Sequence, residues 1–307
     1  MKRLVLNYLI IAALAAFLSC NKGQSNDDIN ASITITMTTA KTSNVTIGML
    51  GSGTFTIDWG DGSAIETHTF PLSKIRITPY HYYTHSYSDV FSRTVIITGE
   101  DITYFDCSAN QLTSLGVSKN TTLTNLICSD NQLTSLKVSN ITALAHLYCS
   151  GNQLKNLDIS ENIALTDLSC GMNQLTDLDV SKNSALTTLS CGNNPLKSLD
   201  VSNNSALTNL DCSDNQLKSI DVSKNSVLTH LSCSDNQLTS LDVSNNTELK
   251  FLFLRNNQLI SSALNVLFET LPLYSSEGFY WIFIGENLGA DTCDKSLAEN
   301  KRWTVWD

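Results

Sequence analysis

Basic side chains are scarce in this sequence of 307 residues: 19 Lys and Arg stand against 29 Asp and Glu, for a formal net charge of −10. That balance excludes nucleic acid as a partner, because phosphate binding needs clustered Lys and Arg. Charged residues make up only 16% of the chain and hydrophobic ones 42%, which excludes a disordered polymer. No apolar run reaches the roughly 20 residues that a membrane-spanning helix needs. Catalytic constellations and cofactor motifs are missing too. His81 and His85 have a metal-pair spacing for a helix, but Tyr80 to Tyr87 reads as a strand, which sets them about 13 Å apart. His146 and His230 have no paired nucleophile nearby in the sequence. The expectation is therefore a protein with no catalytic residues, no cofactor and no metal.

The first residues read as an export signal: Lys2 and Arg3, an apolar stretch from Leu4 to Leu18, then Ser19 and Cys20. Phe17-Leu18-Ser19-Cys20 resembles a lipobox, with Phe17 where leucine is usual. That resemblance implies a signal peptide over 1–19, cleavage before Cys20 and a lipid anchor on Cys20. A polar tether follows over 20–29, and its Asp27-Asp28 pair is similar to the acidic export tags of surface lipoproteins in the Bacteroidota. Two or more acyl chains hold such a protein stably, each buried methylene contributing roughly 0.8 kcal/mol. Removing Lys2 and Arg3 with the signal shifts the charge from −10 to −12.

Residues 30–100 alternate as strands do, in Ile33-Thr34-Ile35-Thr36-Met37, Thr54-Phe55-Thr56-Ile57 and Thr94-Val95-Ile96-Ile97. Asp58-Trp59-Gly60-Asp61-Gly62, followed by Thr84-His85-Ser86-Tyr87-Ser88, resembles the PKD domain. The expectation here is a small immunoglobulin-like β-sandwich with an unusually long middle section around Pro71 to Pro79.

From 103 to 259 the chain repeats itself every 21 residues. Cys107, Cys128, Cys149, Cys170, Cys191, Cys212 and Cys233 mark the period, and Leu254 takes the next place. Three residues beyond each stands an asparagine: Asn110, Asn131, Asn152, Asn173, Asn194, Asn215, Asn236 and Asn257. One unit, Leu123 to Ala143, reads Leu-x-x-Leu-x-Cys-x-x-Asn-x-Leu-x-x-Leu-x-Val-Ser and then polar or small residues. This is a leucine-rich-repeat pattern and resembles the 21-residue bacterial IRREKO type. The fold class implied is mainly β: a right-handed solenoid of about eight such coils plus a longer last coil, behind the N-terminal sandwich. Stacking is obligatory, because one unit cannot close a core alone. In 260–307, Leu264, Leu267, Phe268 and Leu271 recur at helical spacing, so the last coil is expected to carry a short helix and a cap.

The cysteine and asparagine columns are structural expectations. Cysteine occupies an inward leucine position, and free Cys is among the most buried residue types. Parallel inward side chains point the wrong way for disulfides, and seven is an odd number. Asparagine amides at tight turns can satisfy backbone groups of adjoining coils. Another asparagine column, Asn120, Asn162, Asn183, Asn204, Asn225 and Asn246, is broken by Ile141. Asp158, Asp179, Asp200, Asp221 and Asp242 also stack; a solvated column offset by flanking Lys182, Lys197, Lys218 and Lys224 is the expectation, with a bridging calcium ion the alternative.

Function is sought at the positions that vary between coils, the outward strand positions flanking the second leucine of each unit. Their C-terminal end gathers Phe251, Phe253, Trp281 and Phe283 beside Arg255, with His146 and Tyr148 as a second spot. Large aromatic side chains and Arg are enriched at binding hot spots. The competing possibility is that the tail, with Trp303 and Trp306, covers these rings. The expected function is non-catalytic recognition or adhesion by a monomeric, cell-surface outer-membrane lipoprotein whose ligand is a protein or a glycan. The alternative is a structural role, binding another envelope protein of the same cell.

Overall fold

The computed structural model describes residues 33–71, 80–89, 91–275 and 278–307. The signal segment, Cys20, the tether and most of the section from Pro71 to Pro79 lie outside the described residues. Ser32–Asp307 forms one compact unit with a single continuous core from Ile35 to Trp303.

Six strands come first among the described residues: β1 (Ile33–Thr39), β2 (Asn44–Asp58), β3 (Glu66–Thr69), β4 (His81–Ser86), β5 (Arg93–Asp106) and β6 (Leu112–Gly116). Alternating Thr with Ile, Val or Met buries one face of each long strand, so Ile35, Met37, Val45, Ile47, Val95 and Ile97 are fully covered. β5 pairs antiparallel with β1 through Ile97↔Ile35 and with β2 through Phe105↔Met49. β2 bends at bulges after Leu50 and Ser52. Gly51 is required at the first, because a Cβ there would lie 2.0 Å from the Asp101 carbonyl oxygen.

The hydrogen-bond ladder does not divide these strands into two sheets. All belong to a single 15-stranded sheet, which the solenoid continues. β5 makes the join: its last residues, Tyr104 to Asp106, pair in parallel with the first short solenoid strand. The division expected between residues 100 and 103 thus falls inside one strand. On the opposite side, β1 pairs with β6, through Met37↔Leu115, and covers the first coil. At the far corner, the Tyr87 hydroxyl donates to the Trp59 carbonyl at 2.7 Å, and the His85 ring stacks on Trp59.

The solenoid proper is a row of three-residue parallel strands: β7 (Asn125–Ile127), β8 (His146–Tyr148), β9 (Asp167–Ser169), β10 (Thr188–Ser190), β11 (Asn209–Asp211), β12 (His230–Ser232), β13 (Phe251–Phe253), β14 (Trp281–Phe283) and β15 (Thr304–Trp306). With β5 they make about ten turns of a mainly β solenoid. Pairing is in register at every step, as in Leu189↔Leu210↔Leu231. Leu186, Leu189, Cys191, Leu196 and Val201 of one coil are 0–1% exposed. Burying each such aliphatic side chain contributes roughly 1.5–3 kcal/mol, and only neighbouring coils can supply the cover. The other side of each coil is extended but not a ladder; apart from the asparagine side chains, a single backbone bond such as Gln153 N–H to Leu133 O, 2.9 Å, links successive coils there, and Pro195 cannot supply it.

After most strands the chain turns through a left-handed residue two positions beyond the cysteine column: Ala109, Asp130, Gly151, Met172, Asn193, Asp214, Asp235, Asn256 and Glu286, with φ of 50–67°. Asp, Asn and Gly tolerate that conformation best, which accounts for the Ser-Asp-Asn and Gly-Asn-Asn runs.

The last coil is longer. Its helix α1 (Ser261–Thr270) buries Leu264, Leu267 and Phe268, and Pro272 follows its end. A second short helix, α2 (Ser296–Glu299), leads into β15, and buried Trp303 donates its ring N–H to the Pro272 carbonyl at 3.0 Å. No helix among the described residues is long and apolar enough to cross a membrane.

Candidate binding face

Two asparagine columns hold the coils in register. In the first, Asn173 donates to the carbonyls of Cys149 and Cys170, both at 3.1 Å, while its Oδ1 accepts from Leu154 N–H at 3.0 Å. The same set recurs around Asn152 and Asn194. In the second, Asn183 donates to the carbonyls of Ile159 and Asn162, but its Oδ1, buried like those of Asn162, Asn204, Asn225 and Asn246, has no partner. Cys107 through Cys233 are unpaired and fully buried; burial pushes up the thiols of Cys107, Cys128, Cys149, Cys191 and, to about 12, Cys170, while at Cys212 a hydrogen bond with Cys233 acts ahead of burial. Their role is packing. Cys293 is half-buried in the cap.

On the rear, Asp158, Asp179, Asp200, Asp221 and Asp242 are exposed. Each accepts from the backbone N–H of the serine two residues on, as Asp200 does from Ser202 at 2.9 Å. Among the described residues no cluster of three or more His, Cys, Asp or Glu has the geometry to hold a metal ion. His81 and His85 lie on β4, and His85 pairs with Asp61 at 2.7 Å.

The outward positions form the face. In-register parallel strands place equivalent side chains about 4.8 Å apart, so rings at successive positions stack. His230 lies on Phe251 with centroids 4.5 Å apart, and Phe253 on Phe283 at 4.9 Å and 7°. Trp281 meets Phe251 edge-on at 5.6 Å. The tail does not cover these rings: it adds Trp306, which stacks on Phe283 at 6.1 Å and is 48% exposed, while Trp303 caps the core instead. Phe251, Phe253, Trp281 and Phe283 remain half-buried, and Phe279 beside Trp281 is 72% exposed. Arg255 sits at the edge of this shelf, paired with Glu286 at 3.3 Å, both exposed.

At the other end, His146 Nδ1 lies 3.0 Å from Asp167, and Tyr148 stands half-buried in the column of Asp106 and Ile127. Burial, followed by the charge of Asp167, raises the Tyr148 hydroxyl. Tyr80 stacks on Tyr104 at 4.3 Å and extends this second spot. Tyr80 comes from outside the repeat, so the period carried no sign of it. Trp306 enters from the sequence only as part of a tail covering the rings, and the structure places it on the shelf instead. Between the two ends the floor is small and polar: Ser169, Thr188, Ser190, Asn209 and Asp211.

In-register coils, an inward Leu, Cys and Asn framework and variable outward columns define a leucine-rich-repeat-type β-solenoid. It is similar to bacterial internalins. The functional domain of InlJ from Listeria monocytogenes, described as including a cysteine ladder, is 33% identical with a TM-score of 0.50, over 64% of this chain and 47% of that one. The internalin InlF from Listeria monocytogenes is 25% identical with a TM-score of 0.56, over 66% of this chain and 58% of that one. A leucine-rich-repeat protein of Leptospira interrogans, 21% identical with a TM-score of 0.55 over 65% of this chain and 59% of that one, shares the fold. The matches thus span 47–59% of the length of these structures. No protein-family model and no curated protein matches the chain.

Proposed function

We propose that this internalin-like repeat protein is a non-catalytic recognition module displayed on the cell surface, holding a protein ligand on the strand face. The observation that carries this reading is the shelf of Phe251, Phe253, Trp281, Phe283 and Trp306, packed face-on or edge-on against one another and half-exposed at one end of the row. A contiguous exposed apolar patch marks an interaction site, and aromatic rings are common hot-spot residues. The sequence supports the rest: the lipobox-like Cys20 as the anchor to the outer membrane, and the PKD-like strands of residues 30–100 as a spacer carrying the solenoid away from it.

The test is to probe host-protein and glycan arrays with residues 29–307 and with the double variant Phe251→Ala, Trp281→Ala. The variant is expected to lose capture while keeping the circular-dichroism spectrum and melting temperature of the parent. Unchanged capture by the folded variant refutes the location. Protease shaving of whole cells tests display: the solenoid is expected to be cleaved from intact cells, and resistance points instead to an assembly role within the envelope. Loss of radiolabelled palmitate from Cys20→Ala checks the anchor.

A further inference from the structure

Charge on the solenoid is largely segregated by side, with Lys250, just before the strand of Phe251 and close enough to His230 to act on its charge, the cation nearest the strand face. The outward positions of β5 and β7 to β15 carry Asp106, Asp167 and Asp211 and no Lys or Arg. The turns just beyond the strands add Asp130, Asp214, Asp235 and Glu286, against Arg255 alone, whose guanidinium Glu286 already occupies. Lys155, Lys197 and Lys218 all lie on the opposite side, next to the rear aspartates.

The acidic side has a shaped recess. Gly171 and Gly192 stand where neighbouring coils have Ser150 and Ser213, and together with Ser190, Asp211, Ser213 and Asp214 they line a groove of about 300 Å³. Asp211 Oδ1 is held by the Ser213 N–H and hydroxyl, at 3.1 and 2.6 Å, so the carboxylate is fixed in place. Its Oδ2 receives only a long bond from Ser190, 3.4 Å. Burial, and after it the charges of Asp235 and Asp211, push the Asp214 carboxyl up. Phe253 occupies the same column as Asp211, two strands along, about 10 Å away.

We propose that the ligand of this face is a cationic protein surface, one that presents an arginine or lysine to the Asp211–Asp214 groove and an apolar side chain to the Phe253–Phe283 shelf about 10 Å away. This rests on the reading of the strand face as the binding side. Carboxylates supply the complementary charge, and the aromatic faces beside them also attract guanidinium and ammonium groups. Neutral and acidic glycans match the rings but not the charge.

Short synthetic peptides test the idea, each with a tryptophan three positions from an arginine, a glutamine or a glutamate, with binding read by intrinsic fluorescence and calorimetry. The arginine peptide is expected to bind at least about tenfold more tightly than the glutamine one, to weaken with added salt, and to lose about tenfold in affinity with Asp211→Asn, Asp214→Asn. Both substitutions keep the fold: asparagine preserves the Asp211 turn, and asparagine already stands at the position of Asp214 in two other coils, as Asn193 and Asn256. Asp200→Asn on the rear is expected to change nothing. If Phe253→Ala, Phe283→Ala abolishes binding while the three peptides bind alike, the face stands and the cationic partner falls. Tighter binding of the glutamate peptide, binding of a neutral oligosaccharide in place of the peptides, or no binding of any peptide at millimolar concentration each overturns the proposal.

Discussion

Asn173 and Asn183 bury the same side chain in the same coil, one 9% and the other 0% exposed, but use it differently, and replacing each with alanine separates the two uses. Asn173→Ala leaves Leu154 N–H without a partner, since the Asn173 Oδ1 is its one acceptor. A buried donor stranded in this way costs about 1–3 kcal/mol. The Cys149 and Cys170 carbonyls lose one bond each but keep those from Asn152 and Asn194, so they add a smaller amount. About 3 kcal/mol is the expected total. Asn183→Ala strands nothing: the Ile159 and Asn162 carbonyls keep their bonds from Asn162 N–H and Leu165 N–H. It also deletes a buried Oδ1 that has no partner. Its expected cost is about 1 kcal/mol or less, although Asn183 is the more deeply buried of the two. Urea unfolding followed by far-ultraviolet circular dichroism, with the slopes compared to check that the same unit unfolds, measures both. Equal costs, or a larger one for Asn183→Ala, would refute the hydrogen-bond reasoning and leave burial as the better guide.

Three further outcomes follow from the geometry. Native labelling with a thiol reagent at pH 8 should reach Cys293 and spare Cys107 through Cys233, which react only after denaturation; fast native labelling of several would contradict the buried column. Hydrogen bonds from Ser63 and His85 hold the Asp61 carboxyl well below its ordinary value of 3.8. The stability this gives is therefore complete above about pH 4 and lost as the pH falls below it, so Asp61→Asn should flatten the acid limb of the stability curve. An acid limb identical to that of the parent would show that the pair contributes nothing. The rear aspartates are occupied by serine N–H groups, so the melting temperature should be the same in calcium and in chelator; a rise of several degrees with calcium would restore the bridged column.

The solenoid could be read from the sequence because its information is periodic. A spacing of 21 repeated through Cys107 to Cys233 forces the same residues inward in every coil, and Leu264, Leu267 and Phe268 declare the helix by their own spacing. What could not be read depends on single, non-repeating contacts. β5 serves both as the last long strand and as the first solenoid strand, and nothing in its alternation marks where one role ends. The pairing of β1 with β6 joins segments more than 70 residues apart, and Tyr80 reaches Tyr104 from an insertion with no period. The two asparagine columns look alike in sequence; only the direction of each amide distinguishes the one that holds a backbone N–H from the one that does not. The acidic groove is lined by two glycines, Gly171 and Gly192, beside Asp211, and a glycine at a turn position does not announce a recess.

Hydroxyl-radical footprinting of the solenoid with an array-selected protein bound tests the assignment of the face most directly. Protection of Phe251, Phe253, Trp281, Phe283 and Trp306, with Lys197, Lys218 and Leu199 on the rear unaffected, is the expected result. Protection confined to the rear, or to the strands before residue 100, would contradict it.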